Sequence, residues 1–82
     1  MQEKEKSLKG LEKEKVEKLT AEEKGLLVSM VSRETTEGPL PTEENIRFFT
    51  EAHVKTCIRK AYGDLNSEGK AVADRITRKL SL

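Results

Sequence analysis

His53 and Cys57 are the only histidine and the only cysteine in the sequence, and they lie four residues apart. In a helix this spacing puts both side chains on one face, where an imidazole nitrogen and a thiolate could bind zinc. A closed zinc site needs four ligands, however, and the chain supplies no other histidine or cysteine. Cys57 also shares its face with Val54, Ile58 and Ala61, as a small core residue does. We therefore predict a buried Cys57, a His53 at the edge of that face, and no metal site.

The same pair could serve as a nucleophile and its general base, but such a site also needs an orienting group, an oxyanion hole and a shielded pocket. A chain of 82 residues with three aromatic side chains offers little material for these. The paired glutamates at 22–23 and 43–44 precede helical patterns, where the helix dipole and capping explain them. No phosphate-binding glycine loop or EF-hand is present. We expect no enzymatic activity, no cofactor and no small-molecule substrate.

The composition limits the class of protein. Charged residues make up 38% of the chain and hydrophobic residues 34%, so a single small domain with a thin core is expected. The net charge of +1 gives no overall attraction to nucleic acid or to an anionic membrane. One cysteine cannot form an internal disulfide, and the longest apolar cluster, residues 26–31, is too short to cross a bilayer. We predict a cytoplasmic protein without a membrane segment.

The first part of the chain is a block rich in lysine and glutamate. Its few apolar residues fall within an arc of roughly 140° at helical spacing, and they are Leu8, Leu11, Val16 and Leu19. Gly10 weakens such a helix by about 1 kcal/mol relative to alanine. We expect residues 1–19 to form a charged N-terminal arm, solvated and frayed or weakly helical, ahead of a helical domain at 20–82. The alternative for the arm is a short dimeric coiled coil.

A capping box predicts where the central helix begins. Thr20 is followed three residues later by Glu23, so each side chain can bond the backbone amide of the other. The helix should run to about Arg33, and its apolar residues cover an arc wider than one stripe. This pattern indicates burial on more than one side. Residues 34–41 contain Gly-Pro and a second proline, and they predict a loop.

The helical pattern changes phase within residues 42–62. Phe48 and Phe49 point to one side at α-helical spacing, whereas Val54 and Ile58 point to another. A break at Thr50, which can cap a new helix, explains the change. We predict a short helix at 43–49 and a longer one at 51–62. The alternative is one continuous helix packed on both sides.

The last helix has the clearest amphipathic pattern. We expect it at about 68–80, after a turn in which Gly63 adopts a positive φ and Asn66 or Ser67 provides the cap. No segment alternates as a strand bounded by hairpin turns does. The predicted fold class is all-α, a small bundle of three to four short helices with a charged N-terminal arm.

Excess apolar surface suggests a first function. Phe48 and Phe49 lie out of phase with the main core, and the central helix carries Leu27 and Val31 on a broad apolar arc. From these four residues we predict a non-catalytic protein–protein interaction or regulatory module. Its partner is another protein or a second copy of the chain, with a homodimer as the expected form.

A second function rests on local charge. Residues 51–80 have the outline of a helix-turn-helix, and residues 45–82 carry eight basic against four acidic side chains. The alternative is therefore a small DNA-binding regulator, with nucleic acid bound by Lys55, Arg59, Lys60, Arg75, Arg78 and Lys79. Against this alternative, the start of the last helix carries Glu68, and Asp74 follows one to two turns later. Carboxylates there repel phosphate.

Overall fold

A computed structural model describes residues 10–82, and the predictions that concern residues 1–9 lie outside this part of the chain. The described part is all-α, as predicted, and contains no β-strand beyond an isolated bridge between Gly10 and Thr50. Four α-helices and one 3-10 helix follow one another along the chain: α1 (Lys13–Glu17), α2 (Ala21–Glu34), the 3-10 helix (Ile46–Phe48), α3 (Glu51–Tyr62) and α4 (Ser67–Lys79).

Helix α2 begins at the capping box that the sequence predicts. The Glu23 amide donates to Thr20 Oγ1 at 3.2 Å, and the Thr20 amide donates to Glu23 Oε1 at 2.9 Å. The helix packs against both α3 and α4, which also pack against each other. Leu27 and Val31 are fully buried as a result, and Met30 is 1% exposed. This confirms a central helix buried on more than one side.

The chain breaks at Thr50 before α3 begins. Thr50 has extended backbone angles, and its hydroxyl oxygen accepts the amide proton of His53 at 3.2 Å. The alternative of one continuous helix is therefore wrong. The segment before the break is a single 3-10 turn, shorter than the predicted helix at 43–49, because Thr42 and Asn45 close a tight turn through reciprocal side-chain bonds to each other's amides.

The connection between α3 and α4 differs from the prediction at Gly63. Its φ is −64°, so the expectation of a positive φ is wrong. The chain instead continues right-handed in tight turns, in which the amides of Asp64 and Leu65 donate to the carbonyls of Ala61 and Tyr62. Since no left-handed residue is needed, glycine is not required at this position. Asn66 then caps α4 by accepting the amide proton of Gly69.

A left-handed residue is found instead after α4, besides Gly38 in the loop that follows α2. Ser81 has a φ of 57°, the Ser81 amide donates to the Arg78 carbonyl at 3.2 Å, and the Leu82 amide donates to the Thr77 carbonyl at 3.0 Å. These are the two bonds of a Schellman motif, which turns the chain back along the helix it has just left. Leu82 is thereby brought beside the last turns of α4.

One hydrophobic cluster forms the core, and residues 10–19 contribute to it. Leu11, Val16 and Leu19 are each 5% exposed and join the side chains of α2, α3 and α4. In its described part, the N-terminal arm is therefore packed against the bundle, in contrast to the solvated arm that we expected. Within residues 10–19 the helix is confined to α1, and Gly10 precedes it.

Gly10 passes close to the backbone of the 3-10 turn, and this contact makes a prediction. A Cβ at Gly10 would overlap the Arg47 carbonyl oxygen, whereas a Cβ at Gly25, inside α2, would meet nothing within 4 Å. We expect Gly10→Ala to lower the free energy of unfolding by about 1–3 kcal/mol. Gly25→Ala should raise it by about 0.5–1 kcal/mol, since alanine is the better helix former. Urea denaturation measures both, and a neutral Gly10→Ala would contradict the close approach.

Candidate functional site

The His53 and Cys57 side chains meet on α3, as their spacing predicts. His53 Nε2 lies 3.6 Å from Cys57 Sγ and 3.4 Å from Thr35 Oγ1. Cys57 is fully buried, and His53 is half-buried with its ring stacked on Phe49 at a centroid distance of 6.0 Å. The predicted burial of Cys57 and the marginal position of His53 are both confirmed.

The surroundings of this pair disfavour metal binding. The Thr35 hydroxyl already donates to the Val31 carbonyl at 2.8 Å, so His53 Nε2 bonds Thr35 only when it carries the ring proton. In the other tautomer, Nε2 accepts the proton of the Cys57 thiol. In both tautomers His53 Nε2 therefore has a hydrogen-bond partner within the protein. Burial, followed by the nearby Glu34 carboxylate, raises the pKa of Cys57 and disfavours the thiolate. Residues 10–82 contain no group of three or more His, Cys, Asp or Glu side chains placed to hold a metal ion.

The four predicted interaction residues do not share one surface. Leu27 and Val31 are fully buried between α2 and its two neighbours, so the prediction that they form an exposed face is wrong. Phe48 is 68% exposed, whereas Phe49 is half-buried against the core. A further large apolar side chain, Leu40, is 61% exposed. The sequence contains one signal of this exposure, because Leu40 is an isolated leucine between two prolines in the predicted loop.

Three exposed apolar residues, Pro39, Leu40 and Phe48, together with the half-buried Phe49 form what we call the aromatic surface. Pro39, Phe48 and Phe49 line a shallow cleft of about 370 Å³ together with Glu37 and Asn45. Asn45 fixes the loop to the 3-10 turn, since its side-chain amide donates to the Leu40 carbonyl at 3.0 Å. The loop that carries Leu40 is thus attached to the 3-10 turn that carries Phe48 by a side-chain bond.

Phe48 stands between this cleft and a second one. The second cleft, of about 580 Å³, is lined by Phe48, Arg47 and residues 10–14. The Arg47 guanidinium carbon lies 4.5 Å above the Phe48 ring centroid, in a cation–π contact. Phe48 therefore projects as a ridge with a cationic group on its face and a depression on each side.

The six basic residues predicted to bind DNA are not brought together. Arg75 Nε and Lys79 Nζ bind the Glu23 carboxylate at 3.0 and 2.7 Å, and Lys60 Nζ lies 3.7 Å from Glu34 Oε1. Lys55 and Arg59 line a separate cleft between α3 and α4, and Arg78 is exposed elsewhere on α4. Three of the six cations are therefore paired with carboxylates of α2, and the six do not form one basic surface.

Glu23 is the centre of this ion cluster and is only 1% exposed. Burial alone would raise its pKa, but bonds from Lys79, the Thr20 amide and Arg75 together outweigh burial and lower the pKa from 4.5 to about 2. Every buried side-chain polar atom in the described residues has a hydrogen-bond partner. The buried charge is thus fully compensated.

The lowered pKa of Glu23 predicts acid sensitivity. A carboxylate with a depressed folded-state pKa stabilises the fold above its unfolded pKa, near 4.5, and this contribution is lost as the pH falls towards about 2. Glu23→Gln should lower the free energy of unfolding at pH 7 by about 2 kcal/mol and flatten its decline across that window. Glu22→Gln is the matched control, because Glu22 is 72% exposed and its 3.7 Å contact with Arg75 contributes less than about 1 kcal/mol. Equal effects of the two substitutions in urea titrations would contradict the central role of Glu23.

The burial of Cys57 predicts an unreactive thiol. In the folded protein, Cys57 should react with a water-soluble disulfide reagent far more slowly than it does in urea, because the thiolate is disfavoured and the sulfur is fully buried. Added zinc should change neither this rate nor the melting temperature. Stoichiometric zinc uptake with protection of the thiol would overturn the prediction.

Comparison of the chain with models of protein families, with curated proteins and with solved structures finds no match. Among residues 10–82, none of the helices combines the length and the apolar character needed to cross a bilayer. The function must therefore be argued from the surfaces of the molecule themselves.

Proposed function

We propose that this protein is a non-catalytic protein interaction module that binds through the aromatic surface. The observation that supports the proposal is the position of Phe48, a large apolar side chain that is 68% exposed on the 3-10 turn. Aromatic residues and arginine are enriched where protein interfaces derive most of their binding energy. Phe48 and Arg47 provide both kinds of side chain at one point.

The aromatic surface is organised before any partner binds. Phe48 lies between Ile46, which is fully buried, and Phe49, which packs against the core. Because its neighbours are anchored, the Phe48 backbone has little freedom to lose on binding. Covering an exposed phenyl ring would contribute about 2 kcal/mol.

The partner that we propose is a second copy of the chain. In a two-fold pairing, Phe48 of each copy would enter the cleft lined by Pro39 and Glu37 of the other. The Arg47 guanidinium above Phe48 would then approach Glu37, so the charges are complementary in the same arrangement as the apolar groups. The aromatic surface can in this way complement itself.

DNA binding remains a prediction with weaker support. Lys60, Arg75 and Lys79 contact carboxylates of α2, so they present less net positive charge to a phosphate backbone than the sequence suggests. No specific contact favours this function over protein binding.

Sedimentation velocity over a range of concentrations tests the proposal. We expect the wild type to pass reversibly from monomer to dimer and Phe48→Glu to remain monomeric, because a carboxylate cannot be buried in an apolar contact. The substitution should change the free energy of unfolding by less than about 0.5 kcal/mol, since Phe48 is largely exposed. Ala71→Glu is the matched control: it adds the same charge at an exposed position of α4 and should leave the dimer intact.

A wild type that is monomeric at all concentrations would contradict the second copy as partner. A selection of displayed random peptides on the wild type then tests the wider proposal, with Phe48→Glu used for counter-selection. Failure to obtain any peptide whose binding depends on Phe48 would overturn the aromatic surface as a binding site.

A further inference from the structure

A third cleft, which we call the α3–α4 cleft, lies apart from the aromatic surface. It has a volume of about 320 Å³ and is lined by Lys55, Ile58, Arg59, Thr77 and Leu82. None of these residues lines the two clefts beside Phe48. The α3–α4 cleft is therefore a separate surface, and inferences about it do not depend on the aromatic surface.

The floor of the α3–α4 cleft is apolar and is fixed by the fold. Ile58 is 5% exposed and belongs to the core, and Leu82 is half-buried against the core. The Schellman motif after α4 holds Leu82 beside Thr77 through the bond from the Leu82 amide to the Thr77 carbonyl. The Thr77 hydroxyl donates to the Ala73 carbonyl, so it is directed to the helix backbone.

The rim of the α3–α4 cleft is positively charged. Lys55 and Arg59 lie one helical turn apart on α3, so their side chains emerge on the same side. Among the described residues neither forms an ion pair, in contrast to Lys60, Arg75 and Lys79.

Within residues 10–82, no aspartate or glutamate side chain lines the α3–α4 cleft. Two acids lie nearby in the sequence of the flanking helices. Glu51 lies one turn before Lys55, and Asp74, one turn before Thr77, accepts the Tyr62 hydroxyl proton at 3.3 Å. The rim therefore keeps an uncompensated positive charge above an apolar floor.

We propose that the α3–α4 cleft binds a short acidic segment of a partner protein. An apolar side chain of the segment packs against Ile58 and Leu82, while carboxylates on either side of it bind Lys55 and Arg59. A peptide fits this cleft better than duplex DNA does, because charged phosphates gain no free energy from contact with the apolar floor. Together with the aromatic surface, the cleft would give the molecule two separate binding sites.

The test uses the full chain as bait for a library of displayed random peptides, with an Arg59→Glu variant for counter-selection. We expect the enriched peptides to combine an apolar residue with neighbouring aspartate or glutamate. Fluorescence polarisation with the synthetic peptides should show binding that is weakened about tenfold or more by Arg59→Glu, because a rim cation becomes a repelling anion. The affinity should also fall as salt is added.

Arg78→Glu is the matched control. Arg59 and Arg78 both lie in the last turn of a helix and are both exposed, so the two substitutions have similar effects on helix stability and on net charge. Only Arg59 lines the α3–α4 cleft. We expect Arg78→Glu to change the peptide affinity by less than about twofold, since it acts only through screened long-range charge.

Several outcomes would overturn the proposal. These are the enrichment of no peptide, the enrichment of peptides without acidic residues, and equal losses in Arg59→Glu and Arg78→Glu. Duplex DNA that binds more tightly than the peptides, with a steep salt dependence and loss in Arg59→Glu, would assign the α3–α4 cleft to nucleic acid instead. Phe48→Glu should leave peptide binding unchanged, which separates this result from that for the aromatic surface.

Discussion

The fold depends on the burial of one carboxylate. Glu23 is 1% exposed, and a buried charge without partners would be strongly destabilising. One of its oxygens accepts from Lys79 and from the Thr20 amide, and the other accepts from Arg75. The bonds from Arg75 and Lys79 attach α4 to the start of α2, and the bond from the Thr20 amide belongs to the capping box. Lys79 also donates to the Lys18 carbonyl, which attaches the segment before α2 to the same point.

This cluster determines which surface charges remain for binding. It engages Arg75 and Lys79 beside α2, so two of the eight basic residues within 45–82 are bound to the buried Glu23 carboxylate. Lys55 and Arg59 lie at the rim of the α3–α4 cleft, and the described residues provide no ion pair for them. The position of Glu23 thus makes Arg75 and Lys79 stabilising cations, whereas Lys55 and Arg59 stay accessible.

The sequence predicts local signals better than distant contacts. The Thr20 capping box, the cap at Thr50 and the start of α4 depend on residues within one turn, and all three are observed. The bond between Glu23 and Arg75 joins residues 52 positions apart, and no periodicity indicates it. Gly63 was expected to be left-handed because a glycine at the C-terminus of a helix often is, whereas the tight turns that follow α3 make this unnecessary. The Glu23–Arg75 bond depends on how distant helices pack, which a local sequence pattern does not show.

The exposure of Phe48 shows how a small change of helical period alters a surface. At the α-helical period, Phe48 and Phe49 fall on one side, and the sequence suggests a single aromatic face. The segment is instead a 3-10 turn with about three residues per turn, so Ile46 and Phe49 share the inward side. Phe48 must then point outwards, as its 68% exposure shows. A single exposed apolar residue is common on protein surfaces, but Phe48 is exposed as Leu40 is, and the binding surface that we propose would cover both side chains.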